Sequence, residues 1–340
     1  MGADPDRAPD AAKDDWRVTK MRVGQNPAKF VEDVLQPAQI TAAVISYIPF
    51  LDGYYAQSLD VLKVCLRSLR EHTDIGLDLM VFDNASCPVV REYLLGEQAA
   101  GRIQYLILSE QNVGKGGAWN AIFGAAPGDY IAYTDSDVYF YPGWLSPQIE
   151  VLETFPQVGM VTGMPILTPI QYSSATVAWA EKEKGVKLGR GSLISWEDFW
   201  FHASSLGDDE ERARAFYDEN EAHAVDFKGK RYFIGSAHFQ FVARKEALQS
   251  ITPIAFTRPM GEVRQLDELV NEKGYLRLCT AERYVRHMGN TLPEDMEVLA
   301  EGERVVRRKA GRRKGLGGFG PVRKFLQWVH RWSFDVLYRK

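Results

Sequence analysis

The sequence predicts an α/β protein built on a doubly wound, mostly parallel sheet with helices on both faces. Two observations carry this. Across residues 39–166, apolar β-rich runs alternate with helical segments of about 10–15 residues, the pattern of a parallel sheet covered on both sides. One of those runs, 129–137, then passes straight into Asp135-Ser136-Asp137, at the strand end where such sheets bind ligands.

The elements follow in order. TAAVISYIP (41–49) reads as a strand, and Gln57 to His72 places Leu59, Leu62, Leu66 and Leu69 at helical spacing. LDLMVFDNA (77–85) is the second strand and 88–100 the next helix. RIQYLILSE (102–110) is a strand, KGGAWNAIFGAA (115–126) a helix opened by glycines, and DYIAYTDSD (129–137) the fourth strand, followed by a turn. A helix over 144–155 leads to a strand over 158–166. Beyond it the pattern loosens into a polar, aromatic stretch read as a partly helical insertion. A strand pair around 231–248, a helix over 263–274 and a strand over 275–287 complete the reading. The expected organisation is an N-terminal extension (1–38), a doubly wound nucleotide-binding half (39–166), a second half that carries the insertion (167–290) and a basic tail (291–340).

With 340 residues, 45% of them hydrophobic, the chain can bury a sizeable core. The first residues, MGADPDRAPDAAKDD, are charged and lack an apolar stretch, so a cytoplasmic location is expected. Cys65, Cys87 and Cys279 are few and far apart, which argues against a disulfide framework or a zinc site. The net charge of −4 conceals an asymmetry, because residues 303–340 hold twelve Lys or Arg against Glu303 and Asp335.

The chemistry converges on the carboxyl edge of the predicted sheet. Asp135 and Asp137 suit a hard divalent cation, Mn²⁺ or Mg²⁺, which takes oxygen ligands and is usually shared with substrate phosphates. Asp83 and Asn84 end the second strand, where a carboxylate and an amide can hydrogen-bond a nucleoside. Asn112 to Gly117 offers backbone N–H groups, a helix N-terminus and Lys115 for an anionic phosphate. His287, ending a late strand, can reach a metal as a neutral imidazole.

Taken in order, VISYIP, VFDNAS, NVGKGGAWN (112–120), TDSD, GEVRQLDELVNEKGYLRL (261–278) and RHMGN (286–290) resemble glycosyltransferase family 2, the inverting sugar-nucleotide transferases of the GT-A fold. The resemblance implies that Ser46 and Tyr47 line the base and ribose pocket and that Asp83 and Asn84 contact the nucleoside. It implies that Asn112, Gly114 and Lys115 border the diphosphate, with Asp135 and Ser136 toward the ribose or donor sugar. Asp137 is then the direct metal ligand, with Asp135 beside it and His287 completing the coordination.

An inverting transferase also needs a carboxylate to deprotonate the acceptor hydroxyl. The family places it in a Glu-Asp pair before the helix that ends in Gly-Tyr. Counting back from Gly274-Tyr275 puts Glu262-Val263 there, so the aspartate is missing. Asp267 is the first candidate for the base and Glu262 the second.

Trp179, Trp196, Phe199, Trp200 and Phe201 offer a platform for a sugar or an apolar aglycone, or form core. Gly235, Ser236 and His238 fall where family members approach donor and acceptor. In the tail, VRKFLQWVHRWSFDVLYRK (322–340) sets Phe325, Trp328, Val329, Trp332 and Val336 on one stripe among basic residues. Such a helix suits an anionic membrane, at the inner face of the cell membrane, or packing on the domain or a homodimer partner. Nucleic-acid binding is not expected.

The resulting expectation is a metal-dependent hexosyltransferase moving a sugar from a nucleotide-sugar to a hydroxyl of a saccharide, glycolipid or other glycoside. The alternatives are a nucleotidylyltransferase, for which 46–58 lacks the required basic glycine loop, and an inactive, membrane-associated carbohydrate-binding or scaffold relative.

Overall fold

The computed structural model describes residues 24–258, 260 and 263–293. Glu262 and the expected tail helix 322–340 therefore lie outside the described residues. In chain order the elements are β1 (Ile40–Ser46), α1 (Ser58–Glu71), β2 (Asp78–Asn84), α2 (Pro88–Ala99), β3 (Tyr105–Ser109), α3 (Gly114–Ala125), β4 (Tyr130–Asp135), β5 (Val138–Phe140), α4 (Ser146–Thr154), β6 (Val158–Thr162) and α5 (Ser174–Lys182). They continue with β7 (Lys187–Gly191), α6 (Trp196–Ser205), α7 (Glu210–Glu219), β8 (Ala222–Phe227), β9 (Lys230–Ile234), β10 (Gln240–Arg244), α8 (Lys245–Gln249), α9 (Val263–Glu272), β11 (Leu276–Cys279) and β12 (Val285–His287).

Ten strands form one sheet in the order β3-β2-β1-β4-β10-β6-β11-β9-β8-β7. The first four are parallel, as are β6 and β11. The rest of the sheet is mixed, because β10 inserts antiparallel between β4 and β6, and β9, β8 and β7 add on antiparallel to one another.

Alternation along the strands explains why helices cover both faces. Ala42 and Val44 of β1 and Leu79 and Val81 of β2 pack with Leu62, Leu66 and Leu69 of α1 and Val90 and Leu94 of α2. Their neighbours Ala43, Met80 and Phe82 join a second core with Trp119 and Phe123 of α3, Leu248 of α8 and Leu266 of α9. An α/β fold is thus what the chain adopts.

Four details differ from the sequence reading. The strands around 231–248 do not pair: β9 and β10 are separated by β6 and β11. The strand expected over 275–287 is two, β11 in the main sheet and β12 paired antiparallel with β5, split where Thr280 Oγ1 donates to the carbonyl of Glu282. The turn expected after Asp137 gives way to that short β5. The insertion contains helices α5 to α7 as expected, but also β7 and β8, which extend the sheet.

All three cysteines are free, with Cys65 and Cys279 buried. Burial pushes the Cys279 thiol up to about 12.

Candidate active site at the carboxyl edge of the sheet

Parallel strands bring their carboxyl ends to one edge, so residues far apart in sequence meet there without any local instruction. Ser46 and Asp83 are partners in the β1–β2 register, and Asp135 closes β4 on the other side of β1. Three side-chain atoms in this region, Ser46 Oγ, Asp83 Oδ1 and Asp137 Oδ1, are buried with no hydrogen-bond partner. Native proteins leave few polar groups in that state, and each calls for a partner such as water, an ion or a ligand.

Asp83 is fully buried and uses only Oδ2, which accepts from Arg91 Nε at 3.1 Å and from the Ser86 N–H at 3.2 Å. Asn84 is turned inward to hold the next loop. Its Oδ1 accepts from the Val113 N–H at 2.8 Å and its Nδ2 donates to Asn112 Oδ1 at 2.9 Å. Asn112 Oδ1 in turn accepts from the Gly114 N–H at 2.8 Å. Two of the N–H groups expected to cradle phosphate are therefore already used within the protein. Gly114 sits at φ +71°, a left-handed conformation that glycine adopts without cost, and this opens α3.

Lys115, 6% exposed at its side chain, donates to Asp135 Oδ2 at 2.7 Å, while the buried Tyr133 hydroxyl donates to Asp135 Oδ1 at 2.6 Å. Both oxygens of Asp135 are thus engaged. Its backbone N–H donates to the carbonyl of Phe239 just before β10.

Asp137 is placed differently. Its Oδ2 lies 3.2 Å from His287 Nε2, because β12 runs antiparallel to β5 with His287 opposite Val138. Burial opposes ionisation of Asp137, but the His287 ring and then Lys115 outweigh it and hold the carboxyl below its usual range. Burial likewise disfavours a charged His287, yet Asp137 wins and raises the ring above the ordinary imidazole value. Among the described residues no three His, Cys, Asp or Glu side chains cluster as a ready-made metal site. Asp137 and His287 supply two donors, a number that suits a cation sharing its remaining positions with water and phosphate.

Asp267 is buried and engaged on both sides. Arg277 Nη2 donates to Oδ1, and His238 Nδ1 lies 3.4 Å from Oδ2. Ser236 binds the same guanidinium through Oγ and its carbonyl. Tyr47 is 39% exposed on the loop after β1, and Ser136 is half-buried in the turn after β4.

The aromatic residues of the insertion do not make one platform. Trp179 packs on Phe155 and Phe227, Trp196 stacks on Trp200 with ring centroids 5.7 Å apart, and the Phe201 ring meets the guanidinium groups of Arg283 and Arg286.

The sequence reading missed Arg91, Tyr133, Arg277, His202 and Ser205. Tyr133 was legible as the residue two before Asp135, on the same strand face. Arg277 was legible as a charge inside the apolar run LRLC. The remaining three carry no local signal.

The layout is that of an α/β protein with carboxylates gathered at the carboxyl ends of its parallel strands. Residues 54–180 match the family described as Glycosyl transferase family 2. The matched span includes Asp83, Asn84, Lys115, Asp135 and Asp137 but not Asp267 or His287. An uncharacterized glycosyltransferase of Nostoc sp. (strain PCC 7120) is 31% identical over 108 residues, covering 31% of this chain and 33% of the relative. Similar solved structures include a mannosyltransferase of Pyrobaculum calidifontis in complex with GDP-Man and Mn²⁺, at 15% identity and a TM-score of 0.43, covering 73% of this chain and 55% of that one. Another is S. aureus TarS 1-349, at 14% identity and a TM-score of 0.41, covering 73% and 59%. GalNAc-T7 with UDP, GalNAc and Mn²⁺ is 11% identical at a TM-score of 0.44, covering 75% and 45%. Among the described residues no helix is long and apolar enough to cross a membrane.

Proposed function

We propose that this protein transfers a sugar from a nucleotide-sugar donor to an acceptor hydroxyl, with inversion and with Mn²⁺ or Mg²⁺. The observation that carries the reading is the set of unpartnered buried acceptors, Ser46 Oγ, Asp83 Oδ1 and Asp137 Oδ1, in a chain that matches glycosyltransferase family 2 over residues 54–180.

In this reading Ser46 and Asp83 receive hydrogen bonds from the nucleoside, with Tyr47 beside them. Asn84 does its work indirectly, by pinning Asn112 and Gly114 so that the start of α3 faces the diphosphate. Lys115 and Asp135 form one charged unit toward the diphosphate and donor sugar, with Ser136 alongside. Asp137 and His287 would hold the cation. A bound cation neutralises charge on a departing nucleoside diphosphate. Asp267 is the general base: Arg277 anchors Oδ1, and Oδ2, on the side of His238, takes the acceptor proton.

The test is a thermal-shift screen with UDP-, GDP- and dTDP-sugars, with and without Mn²⁺, followed by donor hydrolysis. Ligand at a hundred times its dissociation constant stabilises the native state by about 2.7 kcal/mol. One nucleotide class should give a Mn²⁺-dependent shift, and Asp137→Ala should abolish it. Equal shifts with and without cation in every class would refute the reading.

A further inference from the structure

His287 is gripped from two sides. Nε2 faces Asp137 Oδ2 at 3.2 Å, and Nδ1 lies 3.0 Å from the hydroxyl oxygen of Ser205, the last residue of α6. Ser205 belongs to the insertion, outside the span that matches the family.

The Ser205 hydroxyl has a single proton, and a second atom decides where it goes. Ser205 Oγ is 2.6 Å from the carbonyl oxygen of His202, which can only accept. Bonding back to the carbonyl three residues earlier is a common habit of helical serine. The consequence here is not local: with its proton committed, Oγ can only accept from His287, so Nδ1 must carry the hydrogen. A neutral imidazole has one N–H, and Nε2 is then left with its lone pair directed at the Asp137 carboxylate. Two acceptors facing each other at 3.2 Å are satisfied by a proton, which makes the ring an imidazolium paired with Asp137, or by a metal cation that takes the proton's place.

A second feature presses the end of α6 against this histidine. Gly289, two residues after His287, has φ +74°, and a Cβ there would fall 2.8 Å from the Ser205 carbonyl oxygen. Only glycine lets the turn come this close. Phe239 completes the enclosure, its ring edge-on to His287 at 5.5 Å between centroids.

We propose that Ser205 is a positioning residue that fixes His287 as its Nδ1–H tautomer and so presents the Nε2 lone pair to a cation shared with Asp137. The cation part rests on the reading given under Proposed function, whereas the tautomer is a property of the metal-free chain. Partners of this kind typically change metal affinity by about 10- to 100-fold.

Two measurements on the full-length protein test it. Long-range ¹H–¹⁵N correlation spectra of metal-free protein, at a pH where the ring is neutral, should show His287 protonated at Nδ1. In Ser205→Ala the population should move toward the Nε2–H form, and Mn²⁺ affinity by calorimetry should fall about 10- to 100-fold. Ser205→Thr, which keeps the hydroxyl, should stay near wild type in both. A wild-type His287 protonated at Nε2 overturns the proposal, and decides the matter even if Ser205→Ala does not fold. An unchanged tautomer and unchanged Mn²⁺ affinity in Ser205→Ala overturn it as well. An Nδ1–H tautomer that depends on Ser205, in a wild-type protein with no Mn²⁺ affinity, supports the positioning role and overturns the cation reading instead.

Discussion

Arg277 Nη2 lies 2.6 Å from Asp267 Oδ1, and the guanidinium side chain is 1% exposed. The same guanidinium donates to Ser236 Oγ, the Ser236 carbonyl and the Tyr172 carbonyl, so one cation ties α9, β11, the approach to β10 and the approach to α5 together. Burial pulls Arg277 below its ordinary value, and Asp267 opposes that pull.

Removing the guanidinium leaves a buried carboxylate without compensation. Arg277→Met should therefore lower unfolding free energy in urea by about 3–5 kcal/mol. A loss under about 1 kcal/mol would mean that Asp267 relaxes to solvent or neutralises freely.

Asn84 holds the loop before α3 through both ends of its amide. Asn84→Ala should cost about 1–3 kcal/mol, since the Val113 N–H and Asn112 lose their partner. Hydrogen exchange at Val113 should accelerate at the same time. Unchanged protection at that amide would show that the loop holds itself.

The two carboxylates of Asp135-Ser136-Asp137 should separate by function. Asp137→Asn is expected to remove the Mn²⁺-dependent thermal shift. Asp135→Asn, which weakens the contacts to Lys115 and Tyr133, is expected to retain Mn²⁺ binding and to lower donor affinity. The reverse pattern, measured by calorimetry, would transfer the metal role to Asp135.

Glu97 supplies the pH dependence easiest to isolate. Burial disfavours its ionised form, but Arg102 and Arg70 prevail and hold the carboxyl below its usual range. A depressed carboxyl stabilises the fold above its unfolded pKa, and that contribution is lost as pH falls through the folded value. Glu97→Gln should thus cost about 1 kcal/mol near neutral pH, a modest figure because Arg102 is half exposed and screened. The difference in melting temperature from wild type should shrink below pH 4.5, the ordinary value of the group. A difference constant from neutral pH down to acid would rule out this linkage.

Read from the residues alone, the chain already determined its strand and helix alternation over 39–166 and the placement of Asp83, Asn84, Asp135 and Asp137 at strand ends. Those features are local: an apolar run of the right length, a glycine after it and a carboxylate at its end specify a parallel unit wherever it sits. The tertiary structure alone decided that β10 enters between β4 and β6, that β12 leaves the sheet to bring His287 beside Asp137, and that Ser205 reaches that ring across 82 positions. Such contacts depend on which elements pack together, and no spacing in the sequence encodes a partner that distant. For the same reason Asp267, a plain helical acid in the sequence, became one half of a buried ion pair only once Arg277 was folded against it.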